Sequence, residues 1–161
     1  MNRNFIYAII SLFLVIFQTK TASLFSLEGI TPDVLVIWIV YLALTEGQLR
    51  GTVWGFGIGL CMDLLSGNFL GLSALTKTLC GFLAGYFYNE NKTPMTLGSY
   101  RFLLIVVFAA FLHNLVYFLI FTQGTEISFW RVVSQLGVTT TLYTATIGLI
   151  PMFAFSKKVP V

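Results

Sequence analysis

Residues 51–88 decide the fold, and their sequence is GTVWGFGIGLCMDLLSGNFLGLSALTKTLCGFLAGYFY. The stretch contains two apolar runs, residues 51–66 and 70–88, with Gly67-Asn68 between them. A Gly-Asn pair between two such runs is typical of a tight turn. Because each run is long enough for several helical turns, the pattern predicts an antiparallel helical hairpin.

Four further apolar runs lie on either side of this hairpin, at residues 5–24, 32–46, 102–122 and 130–155. A spanning helix needs about 20 residues, so six of them account for about 120 residues and leave the rest for loops and ends. We therefore predict an all-α, polytopic membrane protein with six transmembrane helices in a single membrane domain over residues 1–161. A cleaved signal peptide is the alternative for the first run, but no good Ala-x-Ala site follows it.

The composition supports a membrane protein and excludes several other classes. Apolar residues make up 57% of the chain, charged residues only 9%, and the mean hydropathy is +0.89. A soluble domain has about 25% charged residues. This chain has too few of them to cover a water-exposed surface. The same numbers exclude a disordered chain and a disulfide-stapled secreted domain, and the loops leave no room for a soluble catalytic domain.

Basic residues in the predicted loops set the orientation. With six spans, six basic residues fall on one side: Arg3, Arg50, Lys92, Arg101, Lys157 and Lys158. Two fall on the other side: Lys20 and Arg131. The asymmetry places both termini in the cytoplasm. It also explains the net charge of +3, which therefore gives no case for nucleic-acid binding.

Glycines recur every four residues along the predicted hairpin, at Gly51, Gly55 and Gly59 and again at Gly81 and Gly85. Small residues at this spacing let helix backbones approach closely in lipid, where van der Waals contact drives association. We predict that these glycines pack helices. The sequence leaves open whether the neighbour belongs to this chain or to a partner.

Three ionisable residues fall within the apolar runs: Asp63, Lys77 and His113. Such groups are costly in a membrane and face the interior of a helix bundle. Asp63 and Lys77 flank the same turn, and a lysine stem is long enough to reach along its helix. We predict an Asp63–Lys77 ion pair in the non-cytoplasmic half. It acts as a structural clasp or lines a polar cavity for a ligand or proton, unless Lys77 instead reaches a lipid phosphate.

Asp33, His113 and Asn114 are the further candidate polar residues of such a cavity. Asp33 follows Thr31-Pro32 at a helix start, where a carboxylate is favoured by the helix dipole. His113 and Asn114 lie in the middle of the fifth run, where a lone histidine is usually a hydrogen-bonded packing residue. No second histidine or acidic ligand follows at i+3 or i+4, so we predict no metal and no cofactor.

Several segments carry a family resemblance: residues 32–36 (PDVLV), Glu46-Gly47, 55–60 (GFGIGL), 63–67 (DLLSG), 70–75 (LGLSAL) and 81–86 (GFLAGY). Together they resemble the rod shape-determining protein MreD family. The most specific element is Asp-Leu-Leu-Ser-Gly followed by Leu-Gly. The other runs match in length and character.

The resemblance implies a bacterial inner-membrane protein of the cell-elongation machinery. It implies as partners the bitopic protein MreC, the actin-like MreB, and RodA with its penicillin-binding transpeptidase, within membrane lipid. The family is similar in fold to the substrate-binding subunits of energy-coupling-factor transporters, which are six-helix bundles. That likeness favours an outward cavity, and the family offers no catalytic residues to carry over.

Three functions follow from these observations. The first is a non-enzymatic scaffold that binds partner helices and helps position peptidoglycan synthesis. The alternative is a small-molecule or lipid-binding membrane subunit of a transporter, with a pocket near Asp33, Asp63, Lys77 and His113. The third, an intramembrane enzyme, needs an acid and a base that converge, and only Asp63 with His113 is available. We therefore predict no enzymatic activity.

Overall fold

The computed structural model describes residues 2–21, 31–67, 69–123 and 129–156, and within these ranges every regular element is helical. Six helices are long and two are short. A π-helical turn, Val133–Gly137, joins α7 to α8. The helices are α1 (Arg3–Thr21), α2 (Val34–Glu46), α3 (Gln48–Ser66), α4 (Leu72–Gly85), α5 (Thr93–Leu97), α6 (Tyr100–Phe121), α7 (Phe129–Val132) and α8 (Val138–Ser156).

The six long helices overlap the six predicted runs, with shifted ends. The predicted fourth run ends at residue 88, whereas α4 ends at Gly85, and the sixth is divided by the π-helical turn. The sequence analysis missed α5. Residues 22–24 of the first run, Asn68 of the predicted turn, and Lys157 and Lys158 of the charge count lie outside the described residues.

Among the described residues, three segments are long and apolar enough to cross a membrane: Arg3–Lys20, Tyr100–Phe121 and Trp130–Ser156. The helices α2 and α4 are apolar but have 13 and 14 residues. At 1.5 Å per residue they extend about 20 Å, less than the roughly 30 Å of a bilayer's hydrocarbon core. Of the six predicted spanning helices, three are therefore long and apolar enough to span a bilayer.

Burial differs from that of a water-soluble protein in two respects: charged and polar side chains lie inside beside the apolar core, and many large apolar side chains are exposed. Polar side chains such as Asp63, Lys77 and Thr144 are at most 1% exposed, whereas Phe13 is 66% and Ile150 70% exposed. Helix α2 is apolar on all sides. It lies at the centre of the bundle, where the surrounding helices cover it. Large apolar side chains on the outside and polar ones inside are the arrangement expected when lipid is the solvent.

The five glycines predicted to pack helices all lie where α3 meets its neighbours. A Cβ built on Gly85 would lie 2.3 Å from Gln48 Cα, and one on Gly59 would lie 2.5 Å from Ala74 Cα. Gly51 faces Ala43 of α2 as well as Gly81 of α4. Because the chain itself covers this glycine face, a partner helix has no access to it.

Ion pairs hold three helices together at the end of the bundle where α2 ends. Glu46 pairs with Arg50, as its i,i+4 spacing predicts, and also with Arg3 of α1 at 3.0 Å. Tyr7 donates a further hydrogen bond to Glu46 over 3.1 Å. Arg3 joins the pair because α1 and α3 flank the end of α2.

Candidate functional site

Asp33 lies at the start of α2 and is fixed from several directions. Its Oδ1 accepts a hydrogen bond from the Val36 backbone N–H at 3.2 Å, which caps the helix. Its own N–H donates to Thr144 Oγ1 of α8 at 3.0 Å. Gln18 of α1 donates to the Pro32 carbonyl at 2.7 Å. These contacts leave Asp33 Oδ2 directed towards α4 and α6.

Lys77 supplies the counter-charge for Asp33. The Lys77 side chain is 1% exposed, and its Nζ lies 2.8 Å from Asp33 Oδ2. The predicted ion pair between Asp63 and Lys77 is therefore wrong, because Lys77 pairs across the bundle with a residue 44 positions away. The prediction considered depth from the hairpin turn and had no information on which helix faces Lys77.

Asp63 has a different set of partners, at the start of α4. Its carboxylate accepts backbone N–H bonds from Gly71 at 2.9 Å, Ser73 at 3.1 Å and Ala74 at 3.2 Å. The first amides of a helix have no partner within the helix, and the helix dipole favours a negative charge there. Asp63 therefore joins the end of α3 to the beginning of α4. A carboxylate one turn before a hairpin turn is the signal that could have indicated this contact.

His113 of α6 approaches the same carboxylate as Lys77. Its Nε2 lies 3.3 Å from Asp33 Oδ2, and its side chain is 8% exposed. Its Nδ1 is buried and, in the part of the chain that the structure describes, has no hydrogen-bond partner. When the imidazole is neutral and its Nε2 carries the hydrogen towards Asp33, Nδ1 is an unused acceptor.

Asn114, the next residue, connects α6 to the beginning of α8. Its Nδ2 donates to the Gly137 carbonyl at 3.3 Å and to Thr141 Oγ1 at 3.0 Å. A threonine in a helix can hydrogen-bond to its own helix or to a neighbouring one. Thr141 does both, because it also donates to the Gly137 carbonyl.

Asp33, Lys77, His113 and Asn114, here called the polar cluster, line one cavity of about 260 Å³. The structure thus brings the candidate cavity residues together with Lys77, whereas Asp63 is not among the lining residues. The sequence did not assign the other polar residues of the lining to the cavity, because no local pattern distinguishes them from packing residues: these are Gln18, Thr31, Ser73, Tyr117 and Thr140. The cavity offers hydrogen-bonding groups inside an otherwise apolar bundle.

The cavity residues do not form a metal centre. Within residues 2–21, 31–67, 69–123 and 129–156, no group of three or more His, Cys, Asp and Glu side chains is placed to hold a metal ion. The charges of Asp33 and Lys77 compensate each other instead. The arrangement therefore fits hydrogen bonding to a polar molecule or a structural role within the bundle.

Comparison with known proteins gives a family match over nearly the whole chain. The family model described as rod shape-determining protein MreD matches residues 1–159. No curated protein and no solved structure matches the chain. The family match includes all of the helices given above and the whole polar cluster.

Proposed function

Because the chain belongs to the rod shape-determining protein MreD family, we propose that it is a non-enzymatic integral membrane scaffold of the bacterial cell-elongation machinery. The observation that carries this proposal is the family match over residues 1–159. The scaffold holds its partners beside one another and thereby helps position peptidoglycan synthesis. It acts through lipid-facing surfaces and short loops.

The proposed topology is six crossings of the inner membrane with both termini in the cytoplasm. The many exposed large apolar side chains support a lipid environment for the bundle. The excess of basic residues on the side of Arg3, Arg50 and Arg101 supports the orientation. A bundle that thins the bilayer locally accommodates short helices at modest cost.

A lipid-facing cleft between α1 and α3 is the proposed contact for a partner's transmembrane helix. The cleft has a volume of about 330 Å³ and is lined by Ala8, Ser11, Leu12 and Val15 of α1 and by Trp54, Gly57, Ile58 and Cys61 of α3. Its Ser11 hydroxyl already accepts a hydrogen bond from Trp38 Nε1, so the surface is largely apolar. Small residues at a helix surface allow a second helix to approach closely.

The partner we assign to this cleft is MreC, the bitopic protein that the family resemblance implies. A single transmembrane helix with a bulky apolar side chain has the shape that the cleft accommodates. The other implied partners, MreB, RodA and its penicillin-binding transpeptidase, contact the remaining surfaces or bind through MreC.

Filling the cleft is expected to weaken this contact without disturbing the fold. A Cβ at Gly57 would meet nothing within 4 Å, so Gly57→Trp adds an indole ring on the side of α3 that lines the cleft. We expect Gly57→Trp to lower the amount of copurified MreC at least about fivefold, since a steric clash at an interface costs about 1 kcal/mol or more. The measurement is quantification of MreC bound to tagged protein from gently solubilised membranes.

The matched control is Leu142→Trp, which adds the same side chain on the exposed outer face of α8. It should leave copurification of MreC and rod shape unchanged when both variants accumulate equally in the membrane. Equal recovery of MreC with both variants would remove the cleft from the proposal.

The second candidate function is the small-molecule or lipid-binding subunit of a transporter. The cavity beside the polar cluster favours it, because a buried His113 Nδ1 without a partner is unusual in a purely structural core. The transporter-like fold that the resemblance implies is its other support. Such a subunit needs partner subunits that supply ATP hydrolysis, and their copurification would distinguish it from the scaffold.

A further inference from the structure

We propose that the cavity beside the polar cluster binds a small, uncharged, polyhydroxylated molecule between glycerol and a hexose in size. The inference rests on the second candidate function, whose pocket is this cavity, and names its class of ligand; it is independent of the scaffold function and of the cleft between α1 and α3. The cavity is lined by residues of α1, α3, α4, α6 and α8 and by the cap of α2, so a ligand there contacts most of the bundle.

The charges around the cavity favour an uncharged ligand. Lys77 and Asp33 form a 2.8 Å ion pair and cancel each other. The Asp63 carboxylate, at the end of α3, already accepts hydrogen bonds from the backbone amides of Gly71, Ser73 and Ala74. An anion would have to share Lys77 with Asp33, and a cation would have to share Asp33 with Lys77 and His113. Because a buried charge needs a partner of its own, either is disfavoured.

The unused hydrogen-bonding groups point to hydroxyls. Among the described residues, Lys77 gives one of its three N–H donors to Asp33, and His113 Nδ1 has no hydrogen-bond partner. The Ser73 and Tyr117 hydroxyls and the Asn114 amide also line the cavity, and each can donate and accept a hydrogen bond. This set contains both donors and acceptors. A hydroxyl group both donates and accepts, so several hydroxyls on one small molecule satisfy it.

The size and the aromatic side chains of the cavity fit the same class of molecule. Its volume of about 260 Å³ corresponds to the liquid volume of about nine water molecules. The Tyr117 ring lies 6.0 Å from that of His113, centre to centre, and Phe118 also lines the cavity. These rings offer an apolar wall for the C–H face of a polyol, while the polar cluster offers its hydrogen bonds.

The cavity lies towards the end of the bundle where α2 begins and the α3–α4 hairpin turns. Asp33 caps the first turn of α2, and Lys77 lies within the first two turns of α4. The ion pairs of Glu46 mark the opposite end. In the proposed topology the ligand therefore enters from the non-cytoplasmic side.

Equilibrium dialysis of the full chain in phosphatidylcholine nanodiscs tests the proposal, with radiolabelled glycerol, myo-inositol and glucose as the probes. We expect saturable binding of at least one of the three. Glycerol 3-phosphate and choline, the charged comparisons, should bind at least about tenfold more weakly, because neither finds an unshared counter-charge. If none of the three polyols binds to helical, monodisperse protein, the proposal is overturned. It is also overturned if either charged probe binds more tightly than the polyols.

Two variants place the binding in the cavity. Tyr117→Phe and Ser73→Ala each remove one hydroxyl and should weaken binding about five- to tenfold. Their matched controls, Tyr86→Phe and Ser66→Ala, alter exposed side chains outside the lining and should leave binding unchanged. If Ser73→Ala loses helical content, Tyr117→Phe decides alone. Unchanged binding in a folded Tyr117→Phe variant would contradict the assigned site.

The same experiment separates a free polyol from the headgroup of a lipid. Nanodiscs prepared with a glucosyl diacylglycerol present the polyol on a lipid anchor. Displacement of the dialysed probe by this lipid identifies a headgroup, and retention of the probe identifies a free molecule. Both results presuppose the saturable polyol binding that the proposal requires.

Discussion

Gly81→Ala is expected to destabilise the protein by at least about 3 kcal/mol, and Gly55→Ala by a similar amount, because both overfill a helix contact. A Cβ at Gly81 would lie 2.2 Å from the Gly51 carbonyl oxygen, and one at Gly55 would lie 2.3 Å from the Lys77 carbonyl oxygen. Both obstacles are backbone atoms of a facing helix. The clash is therefore relieved only when α3 and α4 move apart. The measurement is the free energy of unfolding of purified protein in mixed micelles.

Gly57→Ala is the matched control, on the same helix. A Cβ at Gly57 meets nothing within 4 Å. The substitution should stabilise the protein by about 0.5–1 kcal/mol, because alanine loses less conformational entropy than glycine in a helix. If Gly55→Ala and Gly57→Ala unfold within about 0.5 kcal/mol of each other, the close contact of α3 with α4 is contradicted.

Lys77→Met is expected to cost about 3–5 kcal/mol of stability, because it leaves the Asp33 carboxylate in the bundle without its counter-charge. Methionine retains most of the length and apolar volume of the lysine stem. The loss therefore reports on the charge and not on a cavity. Unfolding of the variant and of the wild-type chain in the same micelles gives the difference.

The double variant Asp33→Asn with Lys77→Met should recover much of that loss, since it removes both charges together. Strictly additive effects of the two single substitutions would show that Asp33 and Lys77 are not coupled. Arg50→Met provides the comparison at an exposed ion pair. Arg50 is more than half exposed, so its pairing with Glu46 is worth only about 0–1 kcal/mol.

The helical runs and the hairpin glycines could be predicted because they are encoded locally. An apolar run bounded by polar residues predicts a helix wherever it packs, and the four-residue spacing of Gly51, Gly55 and Gly59 predicts one face. The number of spanning helices was harder to predict from the sequence. Helix α2 has 13 residues, and its place in the centre depends on how the other helices surround it.

The sequence identified the polar residues of the candidate site but not which of them form an ion pair. Asp33, Lys77, His113 and Asn114 stand out as polar residues in or beside apolar runs. Which of them meet depends on the order and rotation of helices that are far apart in sequence. Asp63 is nearer to Lys77 along the chain than Asp33 is. Its carboxylate nevertheless accepts hydrogen bonds from the backbone amides at the beginning of α4 and does not pair with Lys77.

The central claim, six crossings of the inner membrane with both termini in the cytoplasm, is tested most directly by labelling single cysteines with a membrane-impermeant maleimide. Cys61 and Cys80 are first replaced, and Asn2→Cys, Phe69→Cys, Asn91→Cys and Gln123→Cys are then examined one at a time in intact spheroplasts. We predict labelling of Phe69→Cys and Gln123→Cys in intact spheroplasts, and labelling of Asn2→Cys and Asn91→Cys only after lysis. Labelling of Asn2→Cys or Asn91→Cys before lysis would contradict the topology on which the account depends.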